Sequence, residues 1–93
     1  MTKSQLIDAV AERSGLTRKT AEEVVSTIFS AMSNALIRGD RIEIRGFGSF
    51  KTKHYAPYIG RNPKTAEPIQ VAAKILPIFK VGRELRARVL KSK

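Results

Sequence analysis

The sequence predicts a small α+β fold: two N-terminal helices, a three-stranded antiparallel sheet with a protruding β-ribbon arm, and a short C-terminal helix. Apolar residues recur at spacings of three and four up to Gly39, as amphipathic helices require. From Arg41 onward polar and apolar residues alternate, which is the pattern of half-buried strands. Residues 56–68, rich in proline and glycine, then separate two long strand-like stretches. Helices followed by strands indicate one α+β domain.

The predicted domain spans residues 1–93. Its parts are a helical dimerisation part at 1–39, a sheet at 40–81 with its arm at about 54–70, and a C-terminal helix at 82–93. A chain of this length buries only about 60 to 65% of its unfolded surface. Because a projecting arm reduces the core further, we expect a second subunit to supply the missing buried area.

The first helix is predicted to run from Lys3 to about Ser14. Thr2 and Gln5 are spaced as a capping box, in which each side chain accepts from the other residue's backbone N–H. Gly15 suits the left-handed position that follows a helix.

The second helix is predicted to begin after Thr17 as N-cap and to stop at Gly39. Its apolar stripe continues for about five turns, which is long for so small a protein. We expect the stripe to pack within its own subunit and also against a second one. The stripe residues assigned to a dimer core are Val25, Ile28, Phe29, Met32 and Leu36.

The first strand is predicted at residues 41–45, and the second begins near Ser49 after a tight glycine-rich connection. Phe47 and Phe50 are three positions apart and cannot share one strand face, so we place Phe47 in the turn with both rings buried. Together with Ile44 and Phe79, these rings are assigned to the dimer core rather than to base stacking.

The second strand presents Lys51, Lys53 and Tyr55 on one face, and Thr52 and His54 on the other. Neither face is apolar enough to cover a core. A third strand is predicted from about Ile69 towards Phe79, which makes a hairpin whose far half stands in solvent. Dense positive charge and prolines at 57, 63 and 68 protect such a ribbon from aggregation.

The end of this hairpin is a cationic turn sequence, Gly60 to Thr65. Arg61 and Lys64 flank the ring of Pro63. A proline held forward between two cations suits insertion between stacked bases with neutralisation of the neighbouring phosphates. The alternative is an ordinary surface turn.

Positive charge is concentrated in the second half of the chain. The formal net charge is +10 from 18 basic and 8 acidic residues. Residues 1–50 carry +1 and residues 51–93 carry +9. Such a field attracts a polyanion and favours nucleic acid. A membrane partner is not expected, because the basic half lacks a long amphipathic helix and no long apolar run exists.

A final short helix is predicted near Gly82, with Leu85 and Val89 on its apolar side. Lys74, Lys80 and Arg83 are candidate phosphate contacts, and Arg83 stands near a helix N-terminus, which itself attracts anions. The alternative for each is a solvated basic face.

Other functions find no support in the residue pattern. The chain has no cysteine, which fits a reducing cytosol, and no signal-peptide pattern. His54 is the single histidine and has no neighbouring ligand residues, so we expect a backbone or phosphate contact and no metal. No phosphate-binding glycine loop or nucleophile motif is present, and we expect neither an enzyme nor a cofactor.

Three blocks of sequence resemble a known family across nearly the whole chain. They are Ile44-Arg45-Gly46-Phe47-Gly48-Ser49-Phe50, Gly60-Arg61-Asn62-Pro63-Lys64-Thr65, and Pro77-Ile78-Phe79-Lys80 with Gly82 following. The chain resembles the bacterial histone-like DNA-bending proteins, the HU and integration host factor family. The resemblance implies two intertwined subunits whose β-ribbon arms reach around the duplex in its minor groove.

The resemblance also implies roles for single residues. Pro63 would insert between base pairs and kink the DNA, with Arg61 and Asn62 in the groove and Lys64 near the backbone. The further DNA-binding residues we assign are Lys51, Lys53, His54, Tyr55, Tyr58, Lys74, Lys80 and Arg83.

We therefore expect a homodimeric nucleoid protein of the cytoplasm that binds duplex DNA with little base readout, bends it and condenses it. One alternative is a site-specific factor of the integration host type, paired with a paralogous subunit. Ala56-Pro57 and the stretch from Gly82 to Arg86 resemble that branch more closely. Another alternative is a general polyanion or RNA-binding module, with RNA as a secondary partner.

The chain departs from the family pattern at a few positions. Ala66 stands where the family has glycine, which predicts a stiffer or differently closed tip. Tyr55 and Tyr58 replace arginines of the arm, exchanging charge for rings, and Val81 stands where proline is usual.

Overall fold

A computed structural model of the chain describes residues 1–92. Lys93, which the sequence assigns to the C-terminal helical part, lies outside the described residues. Two helices are followed by five strands and a third helix: α1 (Lys3–Ser14), α2 (Arg18–Ile37), β1 (Ile42–Ile44), β2 (Gly48–Tyr55), β3 (Tyr58–Arg61), β4 (Pro68–Val71), β5 (Lys74–Val81) and α3 (Arg83–Lys91). The predicted α+β class is confirmed, with two N-terminal helices, a strand region and a C-terminal helix in that order.

The two N-terminal helices begin and end where the capping residues predict. Both halves of the Thr2–Gln5 capping box are formed, and Gly15 takes a left-handed conformation with φ 66°. Thr17 caps α2 by accepting from the backbone N–H of Thr20. The helix pair is fixed on its outer side by Arg18, which donates to Asp8 Oδ1 at 2.9 Å and to Ser4 Oγ at 2.8 Å.

Three strands form an antiparallel sheet in the order β1-β2-β5. β2 lies in the middle, with Phe50 opposite Ile42 on one side and opposite Phe79 on the other. The turn between β1 and β2 uses Gly46 at φ 82°, a conformation that a side chain disfavours.

The arm is a separate two-stranded antiparallel sheet of β3 and β4. The prediction of one continuous third strand from Ile69 to Phe79 is wrong, because residues 72–73 divide β4 from β5. Residues 56–57 interrupt the other side of the ribbon at the same level. Pro57 has no backbone N–H to donate to a ladder, which explains why pairing stops there. The strand register is the same on both sides of the gap: Tyr55 lies opposite Lys74 before it, and Tyr58 lies opposite Val71 after it.

The face of β2 that carries Thr52 does pack towards the helices, contrary to the expectation from its own residues. Thr52 lies opposite Pro77 in β5, and the two line a cavity with Leu36 of α2. The apolar groups of this face come mostly from β5, so β2 alone gave no sign of it. The expectation that Phe47 is buried is also wrong for the single chain: its ring packs 5.4 Å from that of Phe79 but stays 44% exposed.

The chain folded alone buries very little. Among residues 1–92, the fully buried apolar residues are Ile7, Ala21 and Val25, between α1 and α2. The accessible surface is 8066 Å², against about 5,400 Å² for a compact monomer of this mass. The radius of gyration is 18.9 Å, against about 12 Å for a compact domain of this length.

Candidate nucleic-acid interface

The arm ends in a tip turn of residues 62–67, in which Pro63 is the second residue. Asn62 Oδ1 accepts from the backbone N–H of Lys64 at 2.9 Å, which is an Asx turn built around the proline. The backbone closes behind it, since Asn62 N donates to Glu67 O at 2.9 Å and Ala66 N donates to Asn62 O at 2.7 Å. Pro63 itself is exposed. The tip therefore presents an apolar ring on a turn closed by three hydrogen bonds.

The tip turn lies two residues further along the chain than the sequence suggested, at 62–67 rather than 60–65. Gly60 and Arg61 belong to β3 and pair with Ile69 and Pro68 of β4. Arg61 also donates from a terminal guanidinium nitrogen to Ala66 O at 3.3 Å, across the end of the ribbon. The four tip residues that the resemblance assigns to DNA contact, in the groove or at the backbone, are thus brought together here: Arg61, Asn62, Pro63 and Lys64.

Sequence reasoning did not foresee how Ala66 and Glu67 close the tip. Ala66 takes φ 60°, and among the described residues no other non-glycine residue has a positive φ. The sequence signal for this closure was Ala66 itself, which stands where the family pattern has glycine. The turn accommodates the Cβ of Ala66 in the left-handed conformation.

The sheet carries a cationic face directed away from α2. Alternation along β2 and its register with β5 put these residues on the same side: Lys51, Lys53, Tyr55, Lys74 and Lys80. All four lysines are exposed. His54 lies on the opposite side, paired with Ile75, so it is not gathered with the lysines.

Aromatic and aliphatic groups replace charge along the arm. Tyr58 is 57% exposed, and it shares one face of the ribbon with Gly60, Ile69 and Val71. Ile59 lies on the other face and is 70% exposed. Residues 58–71 contain two basic residues and one acidic residue, so the arm itself carries only +1.

Arg83 lies apart from the arm, in the first turn of α3. Gly82 is the N-cap of this helix and donates its N–H to Phe47 O at 2.9 Å, which ties the helix start to the β1–β2 turn. Arg83 is exposed. The other exposed cations of α3 are Arg86, Arg88 and Lys91.

The basic half of the chain is not neutralised internally. In the part of the chain that the structure describes, all ion pairs lie within the first 43 residues: Arg18 with Asp8 and Glu22, Arg38 with Asp40, and Arg41 with Glu43. The cations of the sheet, arm and α3 therefore keep their charge available for an external anion.

Most of the residues assigned to a dimer core are at least partly exposed in the single chain. Val25 is buried, and Ile28 and Phe29 are 51% and 45% exposed. Met32, Leu36 and Phe50 are half-buried, whereas Ile44, Phe47 and Phe79 are exposed.

Residues 1–92 show neither a metal-binding cluster nor a membrane-spanning helix. There is no cluster of three or more histidine or acidic side chains placed to hold a metal ion in that range. None of the helices found there has the length and apolar character needed to cross a membrane.

Comparison with known proteins places the whole chain in one group. Residues 1–90 match the model of a family described as bacterial DNA-binding protein. The integration host factor subunit beta of Dechloromonas aromatica is 57% identical over 90 residues, covering 96% of each chain. The subunit of the same name from Pseudomonas aeruginosa is 51% identical over the same share.

Solved structures agree with this grouping. An Anabaena HU–DNA cocrystal structure has a TM-score of 0.86 at 37% identity, covering 96% of this chain and 97% of that one. HU from Thermotoga maritima has a TM-score of 0.66 at 29% identity, covering 96% and 98%.

Proposed function

This chain belongs to the bacterial DNA-binding protein family, and from that premise we propose that it binds duplex DNA through the minor groove and bends it, largely without regard to base sequence. It is a histone-like architectural protein of the HU and integration host factor group. Its place is the nucleoid, which family membership supports. We propose no catalytic role, cofactor or metal.

The observation that carries the bending mechanism is the exposed Pro63 within a tip turn closed by hydrogen bonds. A rigid apolar wedge can enter a base step only if its support does not yield, and Asn62 and Ala66 supply that support. Unstacking a step costs a few kcal/mol, and the bent duplex offsets this by contacting more of the charged protein surface.

The lysine face of the sheet supplies the sequence-independent part of the affinity. Lys51, Lys53, Lys74 and Lys80 project from one side of the sheet without internal ion pairs in the described chain. Each phosphate that they neutralise releases condensed counterions, so binding weakens as salt is raised.

The active unit is a dimer. The exposed apolar surface of α2 and of the sheet needs a cover, and a second copy of the chain provides one by symmetry. Two arms then reach the duplex from opposite sides of the body.

A second candidate function is site-specific bending by a heterodimer with a paralogous chain. The relatives named integration host factor subunit beta favour it, because a subunit called beta implies a second kind of subunit. Competition binding separates the two candidates. Unlabelled duplexes of any sequence should displace the labelled duplex equally well from a general bender. From a site-specific factor, one sequence should displace it much better than the others.

RNA is a secondary partner in this proposal. A protein that used charge alone would bind structured RNA as tightly as DNA and leave DNA shape unchanged. A preference for DNA together with bending supports the arm mechanism, since the A-form RNA groove differs in width and depth.

The test of the wedge compares Pro63→Ala with Pro68→Ala on an end-labelled duplex. Pro68 also lies on the arm, but in β4 opposite Arg61 rather than in the tip turn. We expect Pro63→Ala to reduce energy transfer between the duplex ends more than it reduces affinity. Pro68→Ala should change both little. An unchanged bend in Pro63→Ala would remove Pro63 from the mechanism.

A further inference from the structure

Tyr55 lies beside two lysines at the point where the arm leaves the sheet. Tyr55 and Lys74 are the last pair of the β2–β5 ladder before both strands break. The Nζ atom of Lys53 is 5.3 Å from the centroid of the Tyr55 ring, and that of Lys74 is 5.7 Å away. Both distances lie within the range of cation–π attraction, about 6 Å.

The cluster of Tyr55, Lys53 and Lys74 carries uncompensated positive charge. Two ammonium groups near one ring repel each other, and the ring compensates only part of that repulsion. Neither lysine is in an ion pair within the described residues. Both side chains are exposed, whereas Tyr55 is half-buried and so better fixed. Such a pair of cations on a fixed support is suited to an external anion.

We propose that Tyr55 is a positioning residue whose ring holds Lys53 and Lys74 as a two-lysine site for a backbone phosphate of the duplex. This inference rests on the proposed function and adds a site at the root of the arm. Tyr55 acts through the lysines and does not stack on a base.

The ring would favour binding because it positions the two lysine side chains before the phosphate arrives. A free lysine side chain loses rotamer entropy when it binds a phosphate, and contact with the ring reduces that loss. The site also lies next to the gap at 56–57 and 72–73. A phosphate held there fixes the duplex where the ribbon begins its course towards the groove.

A double-mutant cycle tests whether Tyr55 works through the lysines. Affinity for one duplex is measured for Tyr55→Leu and Tyr55→Phe, first in the wild-type chain and then in the Lys53→Ala/Lys74→Ala chain. In the wild-type chain we expect Tyr55→Leu to lose about fivefold in affinity and Tyr55→Phe to stay within about twofold. In the double-alanine chain we expect Tyr55→Leu to have no further effect.

An NMR measurement without DNA provides an independent readout. Protons near the face of an aromatic ring are shifted upfield, so the ε-methylene signals of Lys53 and Lys74 should lie upfield of those of Lys51. We expect the shift to persist in Tyr55→Phe and to vanish in Tyr55→Leu. A structural defect elsewhere in the sheet would not move these two signals selectively.

Two results would overturn the positioning role while leaving the proposed function intact. One is an equal loss from Tyr55→Leu in both backgrounds, which would mean that the ring contacts DNA itself. The other is the absence of any upfield shift in the wild-type protein. If the wild-type protein failed to bind or bend the duplex at all, the proposed function would fail instead.

Discussion

Ala66 is the residue at which the tip of the arm is under strain. Its φ of 60° brings the Cβ close to the backbone, which costs about 1 kcal/mol or more for a residue other than glycine. The conformation is kept because Ala66 N donates to Asn62 O and because Arg61 donates to Ala66 O. Hydrogen bonds between residues on either side of Pro63 therefore keep Ala66 in its strained conformation.

Replacing Ala66 with glycine should tighten the closed turn. Glycine removes the steric cost but is more flexible when the turn opens, so the net gain is small. We expect amide exchange at residues 62 and 66 to slow by about two- to fivefold, measured by NMR. Ala72→Gly, in the gap between β4 and β5, is the control. Faster exchange in Ala66→Gly would show that the alanine is not strained.

At the residue scale the sequence predicts caps better than it predicts strain. The capping box of Thr2 and the left-handed Gly15 follow from local spacing and were found as expected. The φ of Ala66 depends on how β3 and β4 meet, which the replaced glycine hinted at but could not establish. The side-chain oxygen of the half-buried Asn62 likewise accepts a hydrogen bond within the turn, from the backbone N–H of Lys64.

Gly48 sets the geometry of the sheet at the element scale. It is buried at the start of β2 beside the ring of Phe79. A Cβ at this position would come within 2.6 Å of that ring and still closer to the carbonyl oxygen of Lys80. Neither neighbour can retreat easily, because one is backbone and the other packs against Phe47 and Phe50.

Gly48→Ala should therefore destabilise the folded protein. Overpacking of this kind costs about 1 to 3 kcal/mol, and we expect the thermal midpoint to fall by at least about 5 °C. Gly60→Ala is the matched control, because a Cβ there would make only ordinary contacts of 3.5 Å or more. Equal midpoints for the two variants, measured by circular dichroism, would contradict the packing described for Gly48.

The lysine face of the sheet should determine the salt dependence of DNA binding. Replacing Lys51 and Lys53 by alanine removes up to two phosphate contacts, so the slope of log affinity against log salt should fall by about one unit for each lysine. Lys19→Ala is the control, since Lys19 lies in the first turn of α2, at the end away from Leu36, which lines a cavity with the sheet. An unaltered slope in the double variant would exclude both lysines from the phosphate contacts.

The division of the ribbon shows where pattern reading fails at the element scale. Alternation and charge predicted the hairpin, but residues 72–73 gave no sign that they would leave the ladder. Their partners at 56–57 include Pro57, so the cause lies on the opposite strand. Pairing across a sheet is a tertiary effect that one strand's sequence does not contain.

At the scale of the whole molecule, the single chain exposes more apolar surface than a stable monomer would. Ile28 and Phe29 lie on the long helix, and Ile44, Phe47 and Phe79 lie on or beside the sheet. The sequence predicted Ile28 and Phe29 as part of a dimer core from the long apolar stripe of α2, and it assigned the three residues of the sheet region to the same core. Which face of one subunit meets which face of the other is a property of two chains and stays a prediction.

Two isoleucines allow a direct test of that surface. Ile28 on α2 is 51% exposed in the single chain, and Ile59 on the arm is 70% exposed. If the dimer forms, Ile28→Ser should cost about 2 kcal/mol or more, whereas Ile59→Ser should leave the thermal midpoint unchanged. The thermal midpoint of the wild-type protein should also rise with protein concentration, because each tenfold step adds about 1.4 kcal/mol of apparent stability to a dimer. Similar small effects of both substitutions, with no concentration dependence, would indicate a stable monomer.

The central claim is that this chain bends duplex DNA with its arm, and energy transfer between the ends of a duplex measures it most directly. A duplex of about 40 base pairs is much shorter than the persistence length of DNA, so it stays nearly straight unless protein bends it. Several unrelated duplexes are titrated with the purified protein while affinity is followed in parallel. We predict end-to-end shortening of every duplex at similar affinity. Binding that leaves the end-to-end distance unchanged on every duplex would contradict the account.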